Sequence, residues 1–348
     1  MASIAVDVMS GDCGAPECVP GALRALVADP TLELILVGQP EIIEPALTGA
    51  AADVRARLSV HAAPSVVGMS EHPREAIRRR KDSSMRLAID LVKAGRADAM
   101  VSAGNTGALT AMAHFVLKTV GPVERAPIMS SVPSRNGAHT HMLDLGANSR
   151  ATALQLAQFA TMGSIVARDV FGIAAPRVGL LNIGEEETKG HELVQEAHEL
   201  IRGSGVNYQG FVEGNNIFDG SIDVVVTDGF TGNVALKTME GLAKLIVEQM
   251  RREFTRNALS KLSGLLARPV LRRVGDGLDP RRYNGACMVG LSGVVVKSHG
   301  SADRVAFAQA IATAAIAMRR GLPAAIAKAL ANALPADQAP ELAPAMKE

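Results

Sequence analysis

Apolar runs alternate with longer amphipathic stretches along almost the whole chain. Short runs rich in Val, Ile, Leu and Ala fall at 3–8, 32–38, 57–61, 97–102, 127–132, 139–145, 177–182, 206–212, 222–227 and 289–297. Several are continuous rather than alternating, the pattern of strands buried on both faces. Between them, helical patterns run over 17–28, 73–94, 106–119, 149–170, 189–202 and 232–256. This rhythm predicts an α/β fold with a mainly parallel, doubly wound sheet and right-handed crossovers. No internal repeat is evident. Residues 1–333 read as one domain, and the Ala/Pro-rich stretch 334–348 reads as a disordered tail.

Two helical stretches depart from the simple amphipathic pattern. Over 149–170 apolar or small residues fall on most sides, including Leu154, Leu156, Phe159, Met162, Ile165 and Val166. A helix apolar all round is buried, either in a core or in a dimer interface. Over 251–275, Leu259, Leu262, Leu265 and Leu266 are interleaved with Arg251, Arg252, Arg256, Lys261, Arg268, Arg272 and Arg273. Pro269 is expected to break this segment into two short helices. Such a basic amphipathic hairpin either lies in a membrane interface or packs on its own domain or a second subunit.

Composition narrows the field. The chain has 348 residues, 48% of them apolar, with no Trp and few aromatics, which suits tightly packed α/β layers. A net charge of +1 argues against a general nucleic-acid binder, so any acidic partner must meet a local basic patch. Cys13, Cys18 and Cys287 form no metal-binding spacing and fit a reducing cytosol. The N-terminal apolar run lacks a basic region and reads as a first strand, not a signal peptide. No apolar run reaches the roughly 18 residues of a spanning helix. The expectation is a cytoplasmic protein that can still touch a membrane surface.

Candidate chemistry gathers in loops. From Ala97 to Ala108 the chain reads as strand, small-residue loop and helix start. Gly104 and Gly107 let backbone N–H groups face a ligand, and Asn105 and Thr106 add short polar groups. With the helix N-terminus beyond, this makes a cradle for an anion such as phosphate. The same design recurs at 142–149, with Asp144 and Asn148, and at 224–233, with Asp228, Thr231 and Asn233. Ligands of doubly wound sheets bind beyond the carboxyl ends of the strands. The three loops are therefore expected to share one site at one sheet edge.

Other constellations are weaker. Arg78–Lys81 precedes Ser83 and Ser84, which either bind an anion or sit in a charged helix face. Lys189, in the loop after the 177–182 strand, is positioned to reach a phosphate or a developing oxyanion. Lys297 and His299 share another strand end with Ser298. His139 and His141 lie on one strand face, but no third ligand accompanies them, so no metal is expected. Asp7, Gly11 and Asp12 follow the first strand and either orient a site or cap a helix. Cys287 has apolar neighbours and nothing to lower its pKa, which argues against a nucleophile.

Taken together, these motifs resemble one family. From about Ile4 to Ala317 the chain is similar to the bacterial phosphate acyltransferases, the PlsX family of phospholipid synthesis. The resemblance rests on Val6-Asp7 with Gly11-Asp12, Lys81-Asp82-Ser83-Ser84-Met85, Val101–Ala108, Leu143–Asn148, Gln158–Gly163, Leu180–Glu186, Lys189-Gly190, Asp228–Asn233, Lys237 and Lys297–Gly300. Asn284 and Cys287 depart from the family's Tyr-Gly-Gly-Ala-Pro run, which makes a nucleophilic Cys287 still less expected. The resemblance implies a three-layer α/β/α fold of the isocitrate/isopropylmalate dehydrogenase and phosphotransacetylase type, and a homodimer.

It also implies acyl transfer from an acyl-carrier-protein thioester to inorganic phosphate, without a cofactor. The acyl phosphate would feed a membrane glycerol-3-phosphate acyltransferase, and the enzyme would associate peripherally with the cytoplasmic membrane. That favours the 251–275 hairpin, through Leu259, Leu262, Leu265, Leu266 and Arg272, as the membrane- or partner-contacting element. On loop chemistry, phosphate binding falls to Ser83, Ser84, Gly104, Asn105, Thr106, Gly107, Thr231 and Asn233. Asp144, Asn148 and Asp228 are expected to fix the loops. Lys189 is the first choice for oxyanion or thiolate stabilisation, with His299 or Lys297 second. The rival expectations are a phosphotransacetylase using acyl-coenzyme A and a non-catalytic membrane scaffold.

Overall fold

The computed structural model describes residues 2–333. The expected tail, 334–348, lies outside the described residues. The strands are β1 (Ala2–Asp7), β2 (Leu32–Gly38), β3 (Leu58–Ala62), β4 (Ala99–Ser102), β5 (Ile128–Pro133), β6 (His139–Leu143), β7 (Val178–Leu181), β8 (Tyr208–Val212), β9 (Val224–Val226), β10 (Ala286–Met288) and β11 (Val294–Lys297). They form one sheet in the order β3-β2-β1-β4-β11-β10-β5-β6-β9-β7-β8. The helices are α1 (Ala15–Ala28), α2 (Pro40–Ala46), α3 (Ala52–Arg55), α4 (Pro73–Arg79), α5 (Ser84–Lys93), α6 (Thr106–Leu117), α7 (Ala153–Asp169), α8 (Glu192–Arg202), α9 (Asn216–Asp219), α10 (Gly229–Thr255), α11 (Ala258–Leu278), α12 (Arg304–Arg319) and α13 (Leu322–Ala333).

Two apolar layers flank the sheet. One joins β1, β2 and β11 to α1 and α12 and continues through α7, α8 and α13. The other packs Met85 and Ile89 of α5 and Leu109 and Met112 of α6 on the opposite face. All four residues of β4 and all three of β9 are buried, because helices cover both faces there.

Strand direction corrects the expectation of a shared sheet edge. β3, β2, β1, β4 and β11 are mutually parallel, and β6, β9, β7 and β8 are mutually parallel. Between them β10 is antiparallel to both β11 and β5, and β5 is antiparallel to β6. The two parallel halves therefore run in opposite directions. The loop after β4 and the loops after β6 and β9 leave opposite edges of the sheet, and helix α10 carries Lys237 of the second half to His299 of the first.

Several elements differ from expectation for local reasons. The 289–297 run is not one strand: Gly290 turns with φ +89° between β10 and β11. The 73–94 helix is two, because the hydroxyl of Ser83 accepts from Arg86 N–H and starts α5 afresh. Pro269 does not break its segment. It is exposed inside α11, and the break falls at Arg256 and Asn257, where Asn257 caps Ser260 N–H (2.8 Å). Helix α7 is a core helix, started by a Thr152–Gln155 capping box and packed between the sheet, α8 and α13. No single helix among the described residues is long and apolar enough to cross a membrane; α12 and α13 pass that test only as a pair bent by 49°.

Candidate active site

Three strand ends of the first half converge. After β1, Gly11 packs so closely that a Cβ there would lie 2.9 Å from both Ala103 Cβ and Gly300 O. Ser102, the last residue of β4, donates its hydroxyl to Asp7 Oδ2 (2.6 Å) and accepts from Gly104 N–H (3.1 Å). Asp7 and Ser102 are fully buried, so this short relay fixes the start of the β4–α6 loop in a low-dielectric setting. Asn105 caps α6 through Ala108 N–H (3.0 Å), and its amide donates to Met69 O (2.7 Å) and Glu71 O (3.1 Å). A Cβ on Gly107 would meet Pro73 Cγ at 2.9 Å, so the start of α4 lies directly against this turn. The first-turn N–H groups of Thr106 and Gly107 have no intrahelical acceptor, and the helix dipole adds partial positive charge.

Lys297 sits beneath this loop. It is 9% exposed, and its ammonium donates to Ala103 O (3.3 Å) and to Ser298 O. Burial lowers its pKa to about 8, with the nearby charge of Lys237 acting the same way and Asp12 and Asp7 opposing. Ser83, also buried, spends its hydroxyl on Arg80 O (2.7 Å) and on capping α5. Ser84 and Ser10 are buried with no hydrogen-bond partner for their hydroxyls. Ser10 lies beside the anion loop: a Cβ on Gly104 would be 3.1 Å from its Oγ. Sequence reasoning missed Ser10, which carries no motif of its own.

The other two expected cradles are filled by their own side chains. Buried Asp144 accepts from the N–H groups of Ile128, Gly146, Ala147 and Asn148 and from the Asn148 amide, at 2.6–3.1 Å. Burial raises its pKa although these donors oppose the shift. Asn148 also donates to Ala126 O (3.1 Å) and accepts from Gly229 N–H (2.9 Å), tying the two loops together. Asp228 caps α10, accepting from Phe230 N–H, Thr231 N–H and the Thr231 hydroxyl (2.6 Å). Asn233 lies against Gly146, 3.5 Å from a Cβ built there. In these two loops the backbone donors face an internal carboxylate.

Lys189 is exposed on the loop after β7, with its aliphatic stem against Gly184. β7 stands six positions from β4, about 29 Å along the sheet. The groups that do bridge the halves come from α10. Lys237 Nζ lies 3.4 Å from His299 Nε2, and Glu240 pairs with both, at 2.9 Å and 3.5 Å. Lys237 entered the sequence reading only as a motif position, and Glu240 did not enter it.

The remaining candidates are structural. His141 is buried, its Nδ1 2.8 Å from Ser131 Oγ and its ring stacked on Phe171; burial lowers its pKa to about 4. His139 is exposed, and no cluster of three or more His, Cys, Asp or Glu suited to a metal occurs among the described residues. Cys287 is buried in β10 with its thiol pushed up to about 12, the opposite of an activated nucleophile.

A mostly parallel sheet with helices on both faces, joined in this order, is the fold of the phosphotransacetylase-like α/β class. A phosphotransacetylase from Streptococcus pyogenes superposes with TM-score 0.61 over 91% of this chain and 94% of its own, at 20% identity. A 4-hydroxythreonine-4-phosphate dehydrogenase from Klebsiella pneumoniae gives 0.55 over 90% and 99% at 15% identity. At such identities the likeness is one of fold. Sequence gives the family. Residues 2–325 match the model of the family described as "Fatty acid synthesis protein". A curated phosphate acyltransferase of Alkalilimnicola ehrlichii is 52% identical over 97% of this chain and 98% of its own length. That of Methylococcus capsulatus is 53% identical over 93% and 95%. The chain belongs to the phosphate acyltransferase family and is an acyltransferase.

Proposed function

We propose that this chain transfers a fatty acyl group from an acyl-carrier-protein thioester to inorganic phosphate. The observation that carries the reading is the near-full-length identity of about half to curated phosphate acyltransferases. The β4–α6 loop supports it chemically. Hydrogen phosphate is already a nucleophile at neutral pH, so the protein needs to hold it against the thioester carbonyl and stabilise developing charge. One phosphate oxygen bonds to the carbonyl carbon, the carbon–sulfur bond breaks, and the thiolate leaves with the electron pair. The proton lost by hydrogen phosphate ends on sulfur, giving acyl phosphate and free carrier-protein thiol.

We assign phosphate to the N-terminus of α6, with Gly104, Asn105, Thr106 and Gly107 forming the turn, the unpartnered hydroxyl of Ser10 beside it, and the unpartnered Ser84 hydroxyl at the start of α5 as a further candidate. Lys297 brings a buried ammonium against that turn at Ala103 O, and His299 follows it two residues on. Ser83, Asp144, Asn148, Asp228 and Thr231 hold the scaffold, and Asn233 faces the second half of the cleft. Lys189 stands about 29 Å along the sheet from the Gly104 turn, so it meets a thioester there only if the second copy of a homodimer supplies it. Lys189→Ala is then expected to lower turnover by about 10²-fold with the fold intact.

The carrier protein would dock through basic side chains at the mouth, Arg78, Arg79 and Lys81, all exposed. The helical hairpin would rest on the membrane: Leu259 (77% exposed), Leu262, Leu265 and Leu266 (75%) are exposed among the described residues, alongside exposed Arg272. That setting suits a cytoplasmic, peripherally bound enzyme handing acyl phosphate to a membrane glycerol-3-phosphate acyltransferase. A second copy would cover exposed Phe230, Val234, Leu242 and Leu245 of α10 in a homodimer.

The donor test compares palmitoyl-carrier protein with palmitoyl-coenzyme A. The reading expects the carrier protein to win in kcat/KM by at least about tenfold at low salt, with the advantage shrinking as salt screens the basic mouth. An equal or reversed preference would assign the donor to coenzyme A.

A further inference from the structure

The α10–β11 contact has more order than two exposed cations require. The Nδ1 of His299 accepts from Ser301 N–H (3.2 Å), a group that can only donate, and lies 3.0 Å from Ser301 Oγ. In the neutral ring the proton therefore stands on Nε2. That Nε2–H faces Glu240 Oε2 at 3.5 Å and Lys237 Nζ at 3.4 Å. Glu240 also accepts from Lys237 Nζ at 2.9 Å. The backbone side of the same residue is fixed independently: His299 N–H donates to Asn284 Oδ1 (2.9 Å), while the Asn284 amide donates to Ser298 Oγ (2.8 Å) and Ala306 O (2.7 Å).

Lys237 and His299 come from different halves of the sheet. Without an acid between them an ammonium and a protonated or N–H-bearing ring would not rest 3.4 Å apart. Glu240 is the least exposed of the three, its side chain at 22% against 55% for Lys237 and 41% for His299. Its carboxyl is held down to about 2, first by the His299 hydrogen bond, with Lys237 adding to it against the cost of burial. The acid therefore stays ionised across the working range and holds both donors together on its own carboxylate, beside the strand end that carries Lys297 and Ser298.

We propose that Glu240 is a positioning residue that gathers the Nε2–H of His299 and the ammonium of Lys237 into one donor pair for the negative charge that develops during acyl transfer. The proposal rests on the acyl-transfer reading above. Glu240 touches neither phosphate nor thioester in this role. It acts through its two partners, and its charge offsets their mutual repulsion until the oxyanion or thiolate forms.

The test is a double-mutant cycle on the purified full-length chain, using palmitoyl-carrier protein and phosphate and reading acyl phosphate formation. Glu240→Ala is expected to lower kcat on the order of 10²-fold, the scale set by misplaced catalytic groups. The KM values for phosphate and donor should move less than about 3-fold, since ground-state contacts are untouched. In a Lys237→Ala/His299→Ala background the same substitution should cost less than about 3-fold, because the groups it positions are gone. Glu240→Gln, which keeps an acceptor for Nε2–H but not the charge, should recover part of the loss. An unchanged kcat in Glu240→Ala overturns the proposal, and so does a full loss repeated in the double-variant background, which would mark a purely structural role. A wild-type chain that forms no acyl phosphate would instead remove the acyl-transfer reading on which the proposal stands.

Discussion

Lys297 shows how burial converts an ordinary side chain into a titrating one. Its ammonium is inside the protein, beside two carbonyl oxygens and below the anion turn. Desolvation lowers its pKa to about 8, so the group is charged below that pH and neutral above it. If the charge helps hold phosphate, KM for phosphate should rise as pH passes upward through about 8. A Lys297→Gln variant should show a high KM with no such limb, measured as initial rates from pH 6.5 to 9.5. A wild-type KM flat across that range would separate Lys297 from phosphate binding. The sequence put Lys297, His299 and the Gly104 turn each at a strand end, because each follows an apolar run that ends in small or polar residues; that Lys297 lies against the Gly104 turn shows only in the fold. It could not show that the Ser83 hydroxyl is spent on a cap, nor that Asp144 and Asp228 occupy their own backbone donors. Those facts depend on where a side chain turns, and hydrophobic spacing carries no information about that.

At the level of elements, α10 is the piece that joins the site, and its glycines have opposite roles. At Gly232 a Cβ would lie 2.0 Å from Asp144 O and 2.8 Å from Thr227 Cγ2, so the first turn of α10 can press on the Asp144 loop only without a side chain. Gly241, nine residues on and on the opposite face of the helix, has nothing within 4 Å. Gly232→Ala is expected to destabilise by about 3 kcal/mol through overpacking. Gly241→Ala should stabilise by about 1 kcal/mol through helix propensity alone. Urea unfolding of the two variants would read both signs. Equal effects would mean that the α10–Asp144 contact is not rigid. Most strands were legible because Val, Ile and Leu cluster in them. Helices α12 and α13 escaped notice because alanine fills so many of their positions that inner and outer faces look alike. β10 escaped because three residues cannot establish a period, and its antiparallel course is what turns the second half of the sheet around.

Across the whole molecule, the reversal at β10 and β5 explains why motifs that look alike in sequence do unlike work. Period and composition predict strands but not their direction, so three similar loops were expected at one edge. In the fold one loop presents backbone donors beside Lys297, and two are closed by aspartates that brace α10. The hairpin formed by α10 and α11 then projects leucines into solvent. Leu265→Glu with Leu266→Glu should abolish co-sedimentation with vesicles containing anionic lipid while leaving turnover on soluble carrier-protein substrate within about 2-fold, since surface substitutions away from a site are near neutral. Persistent vesicle binding by this variant, or none by the wild type, would remove the hairpin from the proposed membrane contact.

The central claim, transfer of an acyl group to phosphate, is tested most directly by incubating the purified chain with palmitoyl-carrier protein and varied inorganic phosphate and trapping the product with hydroxylamine. The account predicts trappable acyl phosphate that rises with phosphate to saturation and is absent without it. Folded protein that releases none at any phosphate concentration would contradict it.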